Sequence, residues 1–137
     1  MHHFRKTGKK YQARIRTDSC PFCDPQTLTK KVADFNHSYI VENLTKYDLW
    51  ELHEVVEHLL LIPKRHIESI GDMQPSEQLE LMSIIGDYEK RGYNVYARAT
   101  KSARRSVIHQ HTHLIKVQGQ QAKAALYLNK PHILLRV

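Results

Sequence analysis

The stretch that decides the fold is S-V-I-H-Q-H-T-H-L-I-K-V, residues 106–117. β-branched residues flank its three histidines, and neither Gly nor Pro interrupts the run before Gly119, a pattern that is typical of a β-strand. Successive side chains of a strand point to opposite faces, so His109, His111 and His113 are predicted to form one row. Because apolar residues stand at both ends of this row, we expect it to be buried or to line a pocket, and to carry the chemistry.

Three interpretations of the histidine row follow from its residues. The histidines are metal ligands, a nucleophile with its supporting groups, or ordinary side chains of a polar core. Residues on the same face of a strand are about 6.6 Å apart, so neighbouring imidazoles can converge on one metal or one phosphate, whereas three in line are awkward for a single ion. A neutral histidine can attack phosphorus, and a neighbouring histidine can serve as general acid near neutral pH.

Length and charge limit the classes of protein. The chain of 137 residues is predicted to form a single domain, 1–137, in which residues 1–10 are a basic tail. Lys and Arg exceed Asp and Glu by 21 to 14, a net charge of +7, which favours nucleotides, polyphosphates or nucleic acid as partners without choosing among them. A solvated basic surface explains the charge equally well. No apolar run is long enough to cross a membrane and the N-terminus has no signal-like apolar region, so we expect a cytoplasmic protein.

The two cysteines stand close together in the segment C-P-F-C, residues 20–23. Such a pair indicates either a metal knuckle or a redox pair. Pro21 stands between the cysteines and Pro25 follows them, which favours a turn over the strand-to-helix junction of a redox pair, so metal is the preferred interpretation. Cys20 and Cys23 alone supply only half of a tetrahedral zinc site. His58 and His66 stand on either side of a strongly apolar segment, and either could supply a missing ligand.

Local patterns predict an α+β domain with a largely antiparallel sheet. Strands are expected at 32–42 with a turn near 36–37, at 57–62, at 93–99, at 106–117 and at 132–137. One helix is expected at 75–91, because a proline stands in its first turn and Gly92 follows its last. Its apolar stripe of Leu79, Met82, Ile85 and Tyr88 is expected to face the core.

Three segments together resemble the histidine triad (HIT) superfamily. They are L-L-L-I-P-K-R-H-I (59–67), R-G-Y-N-V-Y (91–96) and S-V-I-H-Q-H-T-H-L-I (106–115), and the signature of the family is His-φ-His-φ-His-φ-φ with φ apolar. The resemblance covers roughly residues 20–117. It implies a HIT-like domain, an α+β fold with a largely antiparallel five-stranded sheet, one long helix and short helical segments.

The resemblance also implies an activity. It is hydrolysis at the α-phosphate of nucleoside phosphoramidates or dinucleoside polyphosphates, through a nucleotidyl-histidine intermediate. His111 would be the nucleophile, and His113 would contact the phosphate or leaving group and assist proton transfer. Ser106 would hydrogen-bond near the phosphate, and His58 would support the nucleophile. The transferase branch of the family carries Gln at the position of His113, so this histidine favours hydrolysis.

Some HIT proteins bind a structural zinc through a CxxC pair, the histidine of P-K-R-H and the first triad histidine. This chain carries all four residues as Cys20, Cys23, His66 and His109. The resemblance therefore implies one structural zinc per chain, which would tie the N-terminal arm to the catalytic strand. His109 would serve the metal while the other two triad histidines serve the phosphate.

The chain departs from the family pattern at several positions. Gln110 and Thr112 stand where the family prefers aliphatic residues. Arg98 replaces an Asn of the substrate site, and Arg105 replaces the usual Gln of the small phosphate loop. Arginine can bind phosphate with two parallel hydrogen bonds, so both arginines are candidate substrate-binding residues for a more anionic substrate. Alternatively, they lie in solvent or meet a partner.

Other features leave alternatives open. Asp48 and Glu51 are the candidates for the acid that binds the ribose hydroxyls. The basic tail and the loop 98–105 motivate a nucleic-acid-linked enzyme that removes adenylate from a nucleic-acid end. A third alternative is a non-catalytic, zinc-stabilised nucleotide-binding module. Since many HIT relatives are homodimers, the resemblance also suggests that this chain forms a homodimer.

Overall fold

The computed structural model describes residues 20–23, 30–127 and 132–135. The predicted tail at 1–10 lies outside these residues. The strands are β1 (Lys31–Asp34), β2 (Ser38–Glu42), β3 (Leu49–Trp50), β4 (His53–Pro63), β5 (Asn94–Ala97), β6 (Thr112–Gln118), β7 (Ala124–Tyr127) and β8 (His132–Leu135). The helix α1 spans Pro75–Lys90, and a single 3-10 turn covers Ile70–Asp72.

The main sheet is antiparallel throughout, with the strand order β1-β2-β4-β6-β5 and the short β3 paired with the start of β4. Strands β7 and β8 pair separately. β4 is the centre of the sheet, because it bonds β2 and β3 as well as β6. Its second half is continuously buried, as expected for a central strand, and Pro63 ends it. The predicted α+β fold with one long helix and an antiparallel sheet is confirmed.

The two faces of the sheet have different partners. One face is covered by α1, through the buried core of Ile40, Leu59, Leu61, Leu114, Leu81, Ile84 and Tyr88. Residues of the opposite parity lie on the other face, where the register places Leu60 opposite His113 and His58 opposite Ile115. The histidines therefore lie on the sheet face that the helix leaves uncovered.

Helix α1 begins and ends close to the predicted positions. Pro75 is its first residue, and the Glu77 carboxylate accepts a hydrogen bond from the Gln74 backbone N–H (2.7 Å). Gly92 follows the helix with φ of +85°, a conformation that glycine adopts at low cost. Among the described residues, no helix combines the length and apolar character that spanning a membrane requires.

The predicted apolar stripe of α1 is wrong at two positions. Leu79 is 75% exposed and Met82 is 62% exposed, whereas Leu81, Ile84 and Tyr88 are buried in the core. Apolar residues occur on more than one side of this helix, so periodicity allows two different stripes. Tertiary packing against the sheet decides between them.

The prediction of a strand across 106–117 is wrong for its first half, because β6 begins only at Thr112. The preceding residues bond to the last residue of β4 and to the loop that follows it, and they form no strand ladder. The Gln110 backbone N–H donates to the Ile67 carbonyl (2.7 Å), and His109 Nε2 donates to the Pro63 carbonyl (2.9 Å). These bonds replace a strand ladder, so the three histidines do not form a regular row.

Candidate functional site

His111 lies just before β6 and is 7% exposed. Its Nδ1 lies 2.8 Å from the His109 carbonyl oxygen. Because a carbonyl oxygen can only accept, Nδ1 carries the proton and the neutral ring keeps its lone pair on Nε2. Burial lowers the pKa of His111; the bond to His109 opposes this shift, and the charges of Arg105 and Arg98 add to it. His111 is therefore poised as a neutral imidazole whose Nε2 can act as a nucleophile.

The third triad histidine, His113, is held in the tautomer opposite to that of His111. The Tyr47 backbone N–H donates to His58 Nδ1 (3.0 Å), so a neutral His58 carries its proton on Nε2. That Nε2 lies 2.8 Å from His113 Nδ1, which therefore accepts. A neutral His113 must then carry its own proton on Nε2. The two neighbouring rings, with centroids 5.1 Å apart, thus offer a lone pair from His111 and an N–H donor from His113.

His58 Nε2 hydrogen-bonds the third triad histidine, His113, whereas the sequence resemblance had linked His58 to the nucleophile. His58 is buried at 3% exposure on the central strand. Asn43, at the end of β2, places its side-chain amide 3.2 Å from His58 Nε2. Sequence reasoning did not single out Asn43, because nothing in its local pattern shows that β2 ends beside this histidine.

Aromatic residues enclose His113, and sequence reasoning missed them as site residues. The ring centroids of Tyr47 and Tyr96 both lie 5.6 Å from that of His113. Trp50 stacks on Tyr47 at 6.0 Å and lies 5.3 Å from Tyr96. The pairing of β5 with β6 brings Tyr96 opposite His113, and a register of this kind cannot be deduced from single residues.

Arg98 reaches the same aromatic wall. Its Nη2 donates to the Tyr47 hydroxyl oxygen (3.0 Å), and its guanidinium carbon lies 5.4 Å from the centre of the Tyr96 ring. Arg98 also lines a cavity of about 330 Å³, together with Ser69, Ile70, Ala97, Ala99, Thr100 and Gln110. This predicted substrate-binding residue is therefore close to the histidine cluster and borders a cavity.

Arg105 stabilises the loop that carries His111. Its guanidinium donates to the carbonyl oxygens of Val107, Ile108 and Glu68, at distances from 2.5 to 3.1 Å. A phosphate at this residue would compete with these carbonyl groups. Ser106, the next residue, is half-buried at the start of the same loop.

The candidate ribose acids lie on the hairpin of β3 and β4. Glu51 is exposed in the hairpin turn, where its φ is +51°. Asp48 is half-buried, and its backbone carbonyl accepts a hydrogen bond from the Val55 N–H (3.0 Å).

The four predicted metal ligands converge, since the ligand atoms of Cys20, Cys23, His66 and His109 all lie within 4.8 Å of one another. Cys23 Sγ is 3.1 Å from His66 Nδ1 and 3.4 Å from His109 Nδ1, and Cys20 Sγ is 3.5 Å from His109 Nδ1. Tetrahedral zinc with sulfur and nitrogen ligands separates neighbouring ligand atoms by roughly 3.6 Å. The donor set and its spacing therefore fit one metal ion.

The surroundings of the cluster prepare His109 for coordination. Because its Nε2 donates to the Pro63 carbonyl, Nδ1 keeps the lone pair that faces the sulfur atoms. Burial lowers the pKa of His109, which favours the neutral form that a metal requires. Burial raises the pKa of the Cys23 thiol, so a thiolate there needs the compensating charge that a bound cation supplies.

The described fold defines an antiparallel α+β domain with a histidine site and a Cys₂His₂ cluster on one face of its sheet. A family model described as the HIT domain matches residues 54–119, which include β4, α1 and the three triad histidines. Together with the structural neighbours, this match supports the HIT superfamily. No curated protein matches the chain.

Solved structures of HIT proteins share the fold. A HIT family hydrolase from Clostridium thermocellum superposes with a TM-score of 0.58 at 20% identity, covering 78% of this chain and 97% of its own. A HIT family protein from Bacillus anthracis gives 0.59 at 25% identity, covering 75% and 76%. A histidine triad nucleotide-binding protein from Candida albicans gives 0.52 at 20% identity, covering 82% and 89%.

Proposed function

We propose that this protein is a nucleotide hydrolase of the HIT type. Its substrates would be nucleoside phosphoramidates or dinucleoside polyphosphates, cleaved at the α-phosphate through a nucleotidyl-histidine intermediate. The observation that carries the proposal is the pair of hydrogen bonds that assigns opposite tautomers to His111 and His113. Two structurally similar proteins bear the names hydrolase and nucleotide-binding protein, which agrees with this class of substrate.

In the proposed reaction His111 Nε2 attacks the α-phosphorus. A bond from nitrogen to phosphorus forms, and the bond to the leaving group breaks with its electron pair on the departing atom. The Nε2–H of His113 donates a hydrogen bond to that atom or to a phosphate oxygen and stabilises its developing charge. The departing atom takes up a proton from solvent. Water then attacks the same phosphorus and releases a proton to solvent, while the bond from nitrogen to phosphorus breaks, which frees the nucleotide and returns the lone pair to His111 Nε2. His58 keeps His113 in the donating tautomer.

The proposed substrate-binding residues are Ser106, Arg105 and Arg98. Arg98 is supported by its place between the aromatic wall and the 330 Å³ cavity, where its charge would attract a polyphosphate. Arg105 would act mainly by holding the loop 105–110 in shape, since its hydrogen bonds go to carbonyl groups of this loop and of Glu68. Ser106 stands next to it and would hydrogen-bond near the phosphate.

We also propose that the metal is one structural zinc held by Cys20, Cys23, His66 and His109. Four protein ligands close a tetrahedral site and leave no position for a reactive water. Zinc would supply positive charge and a cross-link between the C-P-F-C segment and the catalytic loop. The phosphoryl chemistry is left to the remaining histidines.

Turnover with two nucleotide classes tests the proposed activity. The intact protein should hydrolyse an adenosine phosphoramidate, a diadenosine polyphosphate or both, and His111→Ala should reduce kcat by at least about a thousandfold, as expected for a nucleophile. His53→Ala is the matched control, because His53 is a partly exposed histidine of β4 that bonds the Gly119 carbonyl. Nucleotide binding without turnover by the intact protein would refute the hydrolase proposal and favour a binding module.

Metal analysis tests the zinc proposal separately. The purified protein should contain about one zinc per chain, and Cys20→Ser should lose it. A His58→Gln variant retains all four ligands and should retain the metal. Zinc at the same content in both variants would show that the cysteine pair is not part of the site.

The nucleic-acid-linked alternative rests on a specific surface. Lys101 and Arg104 are exposed on the loop 98–105, beside the cavity that Arg98 lines. Adenylated DNA or RNA should be compared directly with the free nucleotides as a substrate. Faster turnover of the adenylated strand, with an affinity that falls steeply as salt rises, would favour this alternative.

A further inference from the structure

Phe22, between the two cysteines of the C-P-F-C segment, contacts two triad histidines. Its ring centroid lies 5.2 Å from that of His111, with 70° between the ring planes. The corresponding values for His109 are 6.0 Å and 78°. Both are edge-to-face arrangements, the preferred geometry of aromatic pairs. One residue of the cysteine segment therefore contacts both the proposed nucleophile and a metal-ligand candidate.

The sheet fixes the position of Phe22 independently of its cysteine neighbours. The Tyr39 hydroxyl donates to the Phe22 carbonyl oxygen at 2.5 Å. The Phe22 side chain packs against the buried cluster of Tyr39, Val41, Leu60 and Ile62 on strands β2 and β4. The Phe22 ring therefore packs against the sheet and also contacts His109 and His111.

We propose that Phe22 is a positioning residue for His111. The hydrogen bond from His111 Nδ1 to the His109 carbonyl holds the imidazole at one ring atom, and a tilt of the ring about this bond would move Nε2. The edge contact with Phe22 restrains that motion and keeps Nε2 directed at the phosphorus. The cysteine segment then has two tasks, since its cysteines hold the metal while Phe22 aligns the nucleophile. The effect on turnover rests on the proposed function, whereas the restraint of the ring does not.

Phe22→Leu tests the proposal, because it keeps an apolar side chain and removes the aromatic edge. We expect kcat to fall roughly fivefold, within the roughly two- to tenfold range that the energy of one aromatic pair permits. KM should change less than twofold, and the zinc content should stay at that of the intact protein. In nitrogen-15 NMR spectra of the histidine rings, the Nδ1–H pattern of His111 should broaden or become a tautomer mixture.

Three variants separate positioning from general destabilisation. Phe22→Tyr retains the ring and should keep kcat within about twofold of the intact protein. Tyr39→Phe removes only the hydroxyl that anchors the Phe22 carbonyl, and should lower kcat in the same direction as Phe22→Leu. Ile62→Val removes a methylene from the same cluster at a stability cost of about 1 kcal/mol, and should leave kcat and the His111 signals unchanged.

The outcomes distinguish this inference from the proposed function. Unchanged His111 signals and unchanged kcat in metal-loaded Phe22→Leu would overturn the positioning role while hydrolysis still stood. An equal fall in kcat in Ile62→Val, or a fall that follows zinc content, would also overturn it. If the intact protein turns over no nucleotide, the proposed function fails, and the NMR comparison still decides whether Phe22 restrains His111.

Discussion

Replacing His58 by Phe should lower kcat, because it removes the hydrogen bond from His58 Nε2 to His113 Nδ1. Phe fits beside Tyr47, whose ring centroid lies 4.3 Å from that of His58, but it has no N–H to donate to His113. The Nδ1 of His113 then loses the 2.8 Å bond that holds its proton on Nε2. The ring becomes free to adopt the other tautomer, which presents a lone pair to the leaving group instead of a donor.

The size of the expected fall in kcat follows from the burial of His58 and His113, which are 3% and 5% exposed. Removing one partner of a buried hydrogen bond costs about 1–3 kcal/mol. At about 1.4 kcal/mol per factor of ten, the middle of this range corresponds to a fall of roughly 30-fold in kcat. The fall should be larger for a basic amine leaving group than for p-nitrophenolate, because a basic leaving atom carries more charge for His113 to stabilise.

The assay is steady-state hydrolysis of an adenosine phosphoramidate and of the p-nitrophenyl ester of AMP by each variant. His58→Gln keeps an N–H donor and should recover part of the activity. His53→Phe makes the same substitution at a histidine of β4 that bonds the Gly119 carbonyl, and should change kcat less than twofold. If His58→Phe lowers both reactions equally, or neither, the assignment of His113 as the leaving-group donor is refuted.

Three further predictions concern stability. The Arg65 guanidinium holds the pKa of Glu77 at about 2, below the ordinary 4.5, so this pair stabilises the fold above pH 4.5 and its contribution disappears as pH falls towards 2. Glu77→Gln should reduce the change in unfolding free energy across this pH window by about 1–2 kcal/mol after allowance for solvent screening. An unchanged pH dependence would contradict the assignment. Glu51→Gly should raise the free energy of unfolding, measured by urea denaturation, by about 0.5 kcal/mol, because glycine relieves a left-handed backbone. Glu54→Gly in β4 should lower this free energy, and two changes of the same sign would argue against relief of the turn. A chelator that removes the proposed zinc should lower Tm by roughly 5–10 °C, and removal of the metal without a change in Tm would contradict a structural role.

Sequence patterns predicted most of the elements because their cues are local. The apolar half of β4 ends at Pro63, and α1 lies between Pro75 and Gly92. Each of these features depends on residues next to one another in the chain. The same cues were ambiguous where more than one arrangement satisfies them, as with the two possible apolar stripes of α1. There the packing against the sheet, which involves residues distant in sequence, decided which side is buried.

The candidate site likewise contains residues that the sequence identified and residues that only the structure shows. Residue types and the family resemblance named the histidines and cysteines, and the structure brings Cys20, Cys23, His66 and His109 together. The aromatic wall of Tyr47, Trp50 and Tyr96 was missed, because those side chains come from separate elements. The three-histidine row was expected to be a strand, but side chain–backbone bonds to the end of β4 and to the loop after it replace the ladder there.

The sequence by itself determined which groups can react: three histidines two residues apart, a cysteine pair, and a strand and a helix with clear ends. It could not determine what each imidazole presents to a substrate, since the chemical identity of a histidine does not specify its tautomer. Tertiary structure decided that point through backbone groups. The His109 carbonyl places the proton of His111 on Nδ1, and the Tyr47 N–H, acting through His58, places that of His113 on Nε2. A carbonyl can only accept and an N–H can only donate, so the positions of these groups give two identical side chains opposite roles.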